Sequence, residues 1–344
     1  HDTAAAISGY GNPAGLWELR EALAMHVGAA RGIKTGPEQV LVTSGIQQGL
    51  NVLARLFVRR GTSVAVEDPC YLGAANTFRS FGATLMPVEV DRNGADVSAL
   101  STKPALLYLT PSHQYPTGAT MSQERRDAVL AWASRANAYV IEDDYDSDFY
   151  YDQAPMPALH SIDEHGQVIY LGTFSKSLAA GLRVGYMVVP KALVKPATAV
   201  KTLLDNCSPW LPQTLLAEFV RSGAFAHHLR RIRTIYRARR DCLVHALEEF
   251  FGEIEVRGVR GGMHIVWNLP QALCEARAFE QFCQDRGVGV YSMASGNAWM
   301  SGKAKRQFRR SIMLGYAALD EKEILEGVQQ LAMIASSLQR ESPA

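Results

Sequence analysis

What this sequence lacks narrows the field before any motif is read. Its longest apolar runs, such as Ala105 to Leu109, are strand-sized and fall far short of the ~20 residues that a membrane-spanning helix needs. No secretory signal is visible at the start. Neither sign of charge dominates: 35 Lys and Arg stand against 34 Asp and Glu, a formal net charge of +1. No global field therefore draws the chain to nucleic acid or to a membrane, and any such partner must be met by a local patch. The five cysteines, Cys70, Cys207, Cys242, Cys274 and Cys283, are odd in number, widely spaced and free of any CxxC pair. That pattern predicts reduced thiols in a cytosolic, cytoplasmic protein. No internal repeat or low-complexity tract stands out.

What is present is a chain of 344 residues, 47% of them apolar, which exceeds the usual size of one hydrophobic core and predicts two domains. His1 is not an initiator and Tyr10-Gly-Asn-Pro-Ala-Gly15 reads like the interior of a domain, so a further portion upstream is expected. From Gln39 to about Pro190, seven β-branched runs recur: VLVTSG, SVAVEDP, TLMPVEV, ALLYLTP, AYVIEDD, VIYLGTFSK and VGYMVVP. Most are continuously apolar, as expected of parallel strands covered by helices on both faces of an α/β sheet. After Pro190 the texture changes to long helical patterns, notably Leu215 to Phe251, then to a second β-section holding EVRGVRGGMHIVWNLP, GVGVYSM and SIMLGY. The expected division is a large domain over 1–210 and a long helix with a smaller α/β domain over 211–344.

Polar and small residues gather at the C-terminal ends of the strands, the edge where open α/β sheets bind ligands. The segment Thr173-Phe-Ser-Lys-Ser-Leu-Ala-Ala-Gly-Leu-Arg183 places hydroxyls, an amine and a guanidinium there, a set that can hold a phosphorylated aldehyde. Shielded from water beside Arg183, Lys176 would have its pKa lowered, which favours the unprotonated amine that a Schiff base requires. A surface lysine in a turn is the other reading. The run Glu142-Asp-Asp-Tyr-Asp-Ser-Asp148 either drives a carboxylate toward a pyridine nitrogen, holds a divalent metal, or is a solvated acidic turn. In Val40-Leu-Val-Thr-Ser44-Gly45-Ile46-Gln47 a strand gives way to a helix whose N-terminus can bind phosphate, although Ser-Gly is also a common cap.

Together these segments resemble the fold-type I aminotransferases, and most closely the aminotransferase-like domain of MocR-type (GntR-family) transcriptional regulators. The stretches that carry the resemblance are Ser112-His-Gln-Tyr-Pro-Thr-Gly118, Glu142-Asp-Asp-Tyr-Asp-Ser-Asp-Phe149 and Leu171-Gly-Thr-Phe-Ser-Lys-Ser-Leu-Ala-Ala-Gly-Leu-Arg-Val-Gly-Tyr186. The resemblance runs from about Tyr10 to the final helix. It implies a large domain with a mostly parallel seven-stranded sheet, a smaller C-terminal α/β domain, and pyridoxal 5'-phosphate as cofactor. Carried over by position, it makes Lys176 the Schiff-base lysine, Asp143 the partner of the pyridinium nitrogen and Tyr145 the hydrogen-bond partner of the ring hydroxyl. Gly45, Ile46, Gln47, Thr173, Ser175 and Arg183 match positions around the phosphate, Tyr71 matches the aromatic stacked on the ring, and His113 and Tyr115 fall in the cofactor-binding SHQYPTG motif. Tyr10 resembles the tyrosine that reaches the neighbouring subunit's phosphate, which implies a homodimer. In a regulator, an amine or the cofactor itself would be the effector, and DNA would be met by a winged helix-turn-helix upstream of His1. A free-standing aminotransferase acting on an amino acid or amine is the alternative.

Three departures bear on the ligand. Aminotransferases of this fold have Asn where this chain has Tyr115, as the MocR group does. They carry a carboxylate-binding arginine where this chain has Met313, and strand alternation lets only one of Arg309 and Arg310 point the same way as Met313. In the regulator that senses γ-aminobutyrate a second arginine falls where Gly73 stands. Elsewhere, Arg221 to Arg240 holds seven arginines and His227-His228, but Leu229, Ile232 and Tyr236 at helical spacing predict a solvated helix with an apolar stripe rather than a nucleic-acid patch. Gly258-Val-Arg-Gly-Gly-Met263 lies between strand-like runs and reads as a hairpin turn.

Overall fold

The computed structural model describes residues 9–100, 104–152 and 156–341. All seven predicted strands form: β1 (Val40–Thr43), β2 (Ser63–Asp68), β4 (Thr84–Asp91), β6 (Leu106–Leu109), β7 (Tyr139–Asp143), β8 (Val168–Thr173) and β9 (Gly185–Val188), with β3 (Cys70–Tyr71) and β5 (Gly94–Ala95) as two short additions. The large sheet runs β1-β9-β8-β7-β6-β2-β4-β5. Strands β8, β7, β6, β2 and β4 are parallel, whereas β9 is antiparallel to both its neighbours. The continuous apolar texture of β9 is the same as that of the parallel strands, because texture reports cover on both faces and not direction. That cover comes from α1 (Trp17–Arg31) and α4 (Gln123–Ala136) on one side, through Leu19, Leu23, Val129 and Trp132. On the other side it comes from α2 (Ile46–Phe57), α3 (Leu72–Ser80) and α5 (Lys191–Asp205), through Leu50, Leu53, Phe78 and Leu193.

The long helical pattern breaks at Ser222-Gly223 into α6 (Trp210–Arg221) and α7 (Ala224–Phe251). Helix α7 serves two cores: Phe225 and Leu229 pack beside the large sheet, Leu243, Ala246 and Leu247 beside a second one. The second sheet is antiparallel, in the order β10-β11-β14-β12, from β10 (Glu255–Arg257), β11 (His264–Asn268), β12 (Tyr291–Ser292) and β14 (Ser311–Gly315). Helices α8 (Ala276–Gln284) and α10 (Glu321–Glu341) close its core. Residues 258–263 are the turn of the β10–β11 hairpin, as read. The arginines of α7 serve the fold: Arg237 and Arg240 pair with Asp152, and Arg233 and Arg239 donate to the carbonyls of Asp148 and Ala317. The five cysteines are free, and no helix among the described residues is long and apolar enough to cross a membrane.

Two connections join the parts near the sheet edge. Strand β13 (Ala298–Trp299) pairs with β3, and Ser301, which caps α9 (Gly302–Gln307), donates its amide to Asp68 Oδ1 at 2.9 Å. At the other end, Gly185 of β9 is pinned between Thr43 and Thr173. A Cβ there would lie 2.8 Å from Gly45 Cα and 2.9 Å from the Gly172 carbonyl oxygen, both backbone atoms that cannot rotate away. Gly185→Ala is expected to destabilise the fold by ~1–3 kcal/mol, the usual cost of overpacking. A lower urea midpoint at unchanged m-value checks this.

Candidate active site

The strand ends converge on a cavity of about 320 Å³. Its walls include Ile46 and Gln47 from the start of α2, Tyr71 after β2, Tyr115 from the loop after β6, Asp143 and Tyr145 at the end of β7, and Thr173, Ser175, Lys176 and Arg183 after β8. These residues are far apart in sequence and meet because parallel strands deliver their C-terminal ends to one edge. Gly45 sits just behind, as the residue that starts α2. His113 lies one layer further back, its Nδ1 2.8 Å from Asp146 Oδ2 and 3.1 Å from the Tyr145 hydroxyl. Tyr10 is exposed and lines neither this cavity nor the one beside it.

The acidic run resolves into separate duties. Glu142 accepts the amides of Leu159 and His160 at 2.7 and 2.8 Å, and burial pushes its pKa up to about 7. Asp144 is equally buried, but the Arg31 guanidinium at 2.7 Å and the hydroxyls of Ser147 and Tyr170 outweigh desolvation and hold it below the ordinary range. Asp143 is different. One of its oxygens, Oδ2, accepts from the Tyr108 hydroxyl at 2.6 Å, while Oδ1 is buried with no partner. Desolvation, only partly offset by Tyr108, raises its pKa to about 7. A metal-binding reading of the run does not fit this dispersal, and among the described residues no three His, Cys, Asp or Glu form a metal-sized group.

At the opposite end of the cavity the groups suit an anion. Gly45 has φ +78, and α2 begins there without a side-chain cap, so the first amides of the helix have no intrahelical acceptor. Arg183, itself left-handed at φ 53, donates Nη2 to the Ser44 carbonyl at 3.0 Å and lies against Gly45, where a Cβ would sit 3.0 Å from that nitrogen. Thr173 and Ser175 add hydroxyls 3.0 Å apart. Between the two ends stand Tyr71, Tyr115 and Tyr145, the second meeting each of the others edge-on at about 6 Å. Gln114 holds this wall through bonds to Glu67, to the Pro69 carbonyl and to the Tyr115 carbonyl. The Tyr115 hydroxyl donates to the Gly296 carbonyl.

Of the two readings of Lys176, shielded or at the surface, the chain by itself matches the second: Lys176 and Arg183 are both exposed, with Ser177 buried between them. Lys176 stands at the boundary of two spaces, since it also borders a second chamber of about 350 Å³ that shares Tyr115 and Tyr145 with the first. Met313 lines that chamber and neither Arg309 nor Arg310 does. Arg309 pairs with Glu275 and Arg310 donates to the Leu269 and Leu273 carbonyls. Sequence reasoning missed Tyr108, Thr110, Ala180 and Asn297 in the first cavity and Asp146 and His264 in the second. Tyr108 had a usable signal, a hydroxyl inside an otherwise apolar buried strand. Asn297 had none, because it arrives through the β3–β13 pairing.

Comparison with known proteins agrees with this geometry. The model for aminotransferase class I and II matches residues 2–331. An uncharacterised helix-turn-helix transcriptional regulator, YdeL of Bacillus subtilis, is 33% identical over 323 residues, which are 93% of this chain and 68% of YdeL. The 2-aminoadipate transaminase of Thermus thermophilus is 34% identical over 319 residues, 90% of this chain and 78% of the enzyme. The Pyrococcus horikoshii kynurenine aminotransferase, whose structure was solved with PMP, is 30% identical with a TM-score of 0.88, covering 100% of this chain and 85% of that one. Regulators and enzymes thus stand at similar distance, about a third of the regulator's own length lying outside the match, and what this chain shares with them is the aminotransferase class I and II match, in the fold-type I α/β architecture. This chain belongs to the aminotransferase class I and II family.

Proposed function

We propose that the chain is the pyridoxal-phosphate-binding, amine-sensing part of a MocR-type transcriptional regulator. The observation that carries the cofactor reading is Asp143: a carboxylate with one buried oxygen that has no partner, in the lining of a cavity whose other end suits an anion. When bound, pyridoxal phosphate supplies an aldehyde that combines with primary amines and a pyridinium ring that withdraws electrons from them. Asp143 Oδ1 would receive the ring N–H, and Tyr108 would hold the carboxylate in place. The α2 amides with Thr173, Ser175 and Arg183 would hold the phosphate. Tyr71 would cover the ring face and Tyr145, backed by His113 and Asp146, would bond the ring hydroxyl. Lys176, at the junction of the two chambers, would hold the aldehyde and later hold or return a proton on the amine carbon. Tyr10, exposed in its own chain, would reach the site of a second copy in a homodimer.

The regulator reading rests on the wording of HQYPTG and EDDYDSDF and on the likeness to YdeL. DNA contact is assigned to no part of this chain, whose net charge is +1 and whose α7 arginines are largely bonded within the fold. The enzyme reading is favoured by the 34% identity to a transaminase. One experiment divides them. The visible spectrum of the chain with pyridoxal phosphate is recorded, then amino acids, ω-amino acids and D-amino acids are added singly while carbonyl product is assayed. A band that responds without product is the expected result; product released in step with loss of the band means turnover, and no band at all removes the cofactor reading.

A further inference from the structure

The second chamber bears on what kind of amine is taken. Its wall beyond Lys176 is apolar: Met263, Val290, Met313, Ile324, Val328 and Leu331. Its volume of about 350 Å³ is within the range of small-molecule sites, enough for a ring or a short aliphatic chain. The charges around it are few and mostly engaged. Asp146 is buried and bonded to His113. Glu323 stands exposed at the rim, where it accepts the Asp320 amide at 2.8 Å. His264 donates Nε2–H to the Pro116 carbonyl at 3.0 Å, and burial lowers its pKa to about 4, so it offers no positive charge. Apart from Lys176, no lysine or arginine of the described residues lines the chamber. A carboxylate carried past Lys176 against the apolar wall would lose its water and find no countercharge there, which is costly, whereas an apolar body would gain by the surface it buries.

Resting on the reading given above, we infer that the amine bound here carries an apolar body and no carboxylate, the arylalkylamines and alkylamines being the class that fits. Met313 decides this. Its sulfur packs against Gly296, where a Cβ would lie 2.6 Å from Sδ, next to the carbonyl that Tyr115 holds. A cation placed at 313 would therefore enter the chamber close to the amine.

The test is calorimetric titration of the full chain with 2-phenylethylamine and with phenylalanine, in the presence and absence of pyridoxal phosphate, with the cofactor's visible band recorded beforehand. The amine is expected to bind at least about tenfold more tightly than the amino acid, the scale of one uncompensated buried charge. Met313→Arg is expected to narrow or reverse that ratio, and Met313→Leu to preserve it, thermal melts confirming that both variants fold. Equal or tighter binding of phenylalanine by the wild-type chain overturns the inference, as does binding of neither compound or a ratio unmoved in folded Met313→Arg. A visible band with phenylalanine preferred removes this inference alone. An absent band removes the cofactor reading, while the titrations without cofactor still decide the chamber.

Discussion

Lys176→Ala is expected to abolish the visible band that the chain gives with pyridoxal phosphate while leaving part of the cofactor bound. The two halves of that result have separate causes. The band requires an amine at the aldehyde, and Lys176 is the lysine that lines the cavity among the described residues. Retention depends on the other end, where the α2 amides, Thr173, Ser175 and Arg183 are untouched by the substitution. Each charge-assisted phosphate contact contributes roughly 1.5–3 kcal/mol, so binding weakens without vanishing. Absorption between 300 and 500 nm together with equilibrium dialysis checks both halves, with the surface residue Lys191 replaced by alanine as control. Because Lys176 is exposed, its loss opens no core cavity, and the melting temperature without cofactor is expected to stay close to that of the wild type. An unchanged spectrum would remove Lys176 from its assigned role.

Asp143→Asn is expected to act in opposite directions on the two states of the chain. Without cofactor, the wild-type carboxylate is buried with one oxygen unpartnered and its pKa raised from 3.8 to about 7. A group whose folded pKa is raised binds more protons in the folded state, so stability falls as pH rises from about 4 to 7 and then levels off. At about 1.4 kcal/mol per pKa unit, the wild-type chain carries a penalty of a few kcal/mol above pH 7 from this residue. The amide keeps an acceptor for Tyr108 and carries no charge, so the cofactor-free variant is expected to be more stable at pH 8 and little changed at pH 4. Its pH dependence becomes shallower but does not disappear, since burial also raises Glu67 and Glu142 to about 7. With cofactor the order reverses: the ring N–H loses its countercharge, and the stabilisation by added pyridoxal phosphate shrinks. Urea titrations at pH 4, 6 and 8 with and without cofactor measure both effects. A variant that is less stable without cofactor at pH 8, or as strongly stabilised by it as the wild type, would sink the assignment.

Much of this site was legible because its residues stand in contiguous motifs. The strand-then-polar pattern of Asp143, Tyr145, Thr173, Ser175, Lys176 and Arg183 survives in one dimension, since each motif is a strand plus the turn that follows it, and parallel strands deliver all such turns to one edge. What stayed hidden was assembled across elements. Tyr108 is an ordinary strand residue until β6 pairs with β7 and sets its hydroxyl against Asp143. Asn297 reaches the cavity, and the Gly296 carbonyl reaches the Tyr115 hydroxyl, only because β13 adds to β3 and brings part of the C-terminal half against Tyr71. The exposure of Lys176 stayed open between two readings for the same reason, as no local pattern records what lies over a loop.

The sequence by itself determined the strand set, the sheet edge where the candidate site lies, the free cysteines' lack of pairing motifs and the family. Each of these is written in local periodicity and in turn chemistry, which depend on neighbours a few residues apart. Only the tertiary structure decided that β9 runs antiparallel, that the five carboxylates between Glu142 and Asp148 take different partners, and that the space beyond Lys176 is apolar around Met313. Those outcomes are set by which distant groups share a dry interior, where desolvation leaves a carboxylate raised, as at Asp143, and a guanidinium together with several hydroxyls holds one down, as at Asp144.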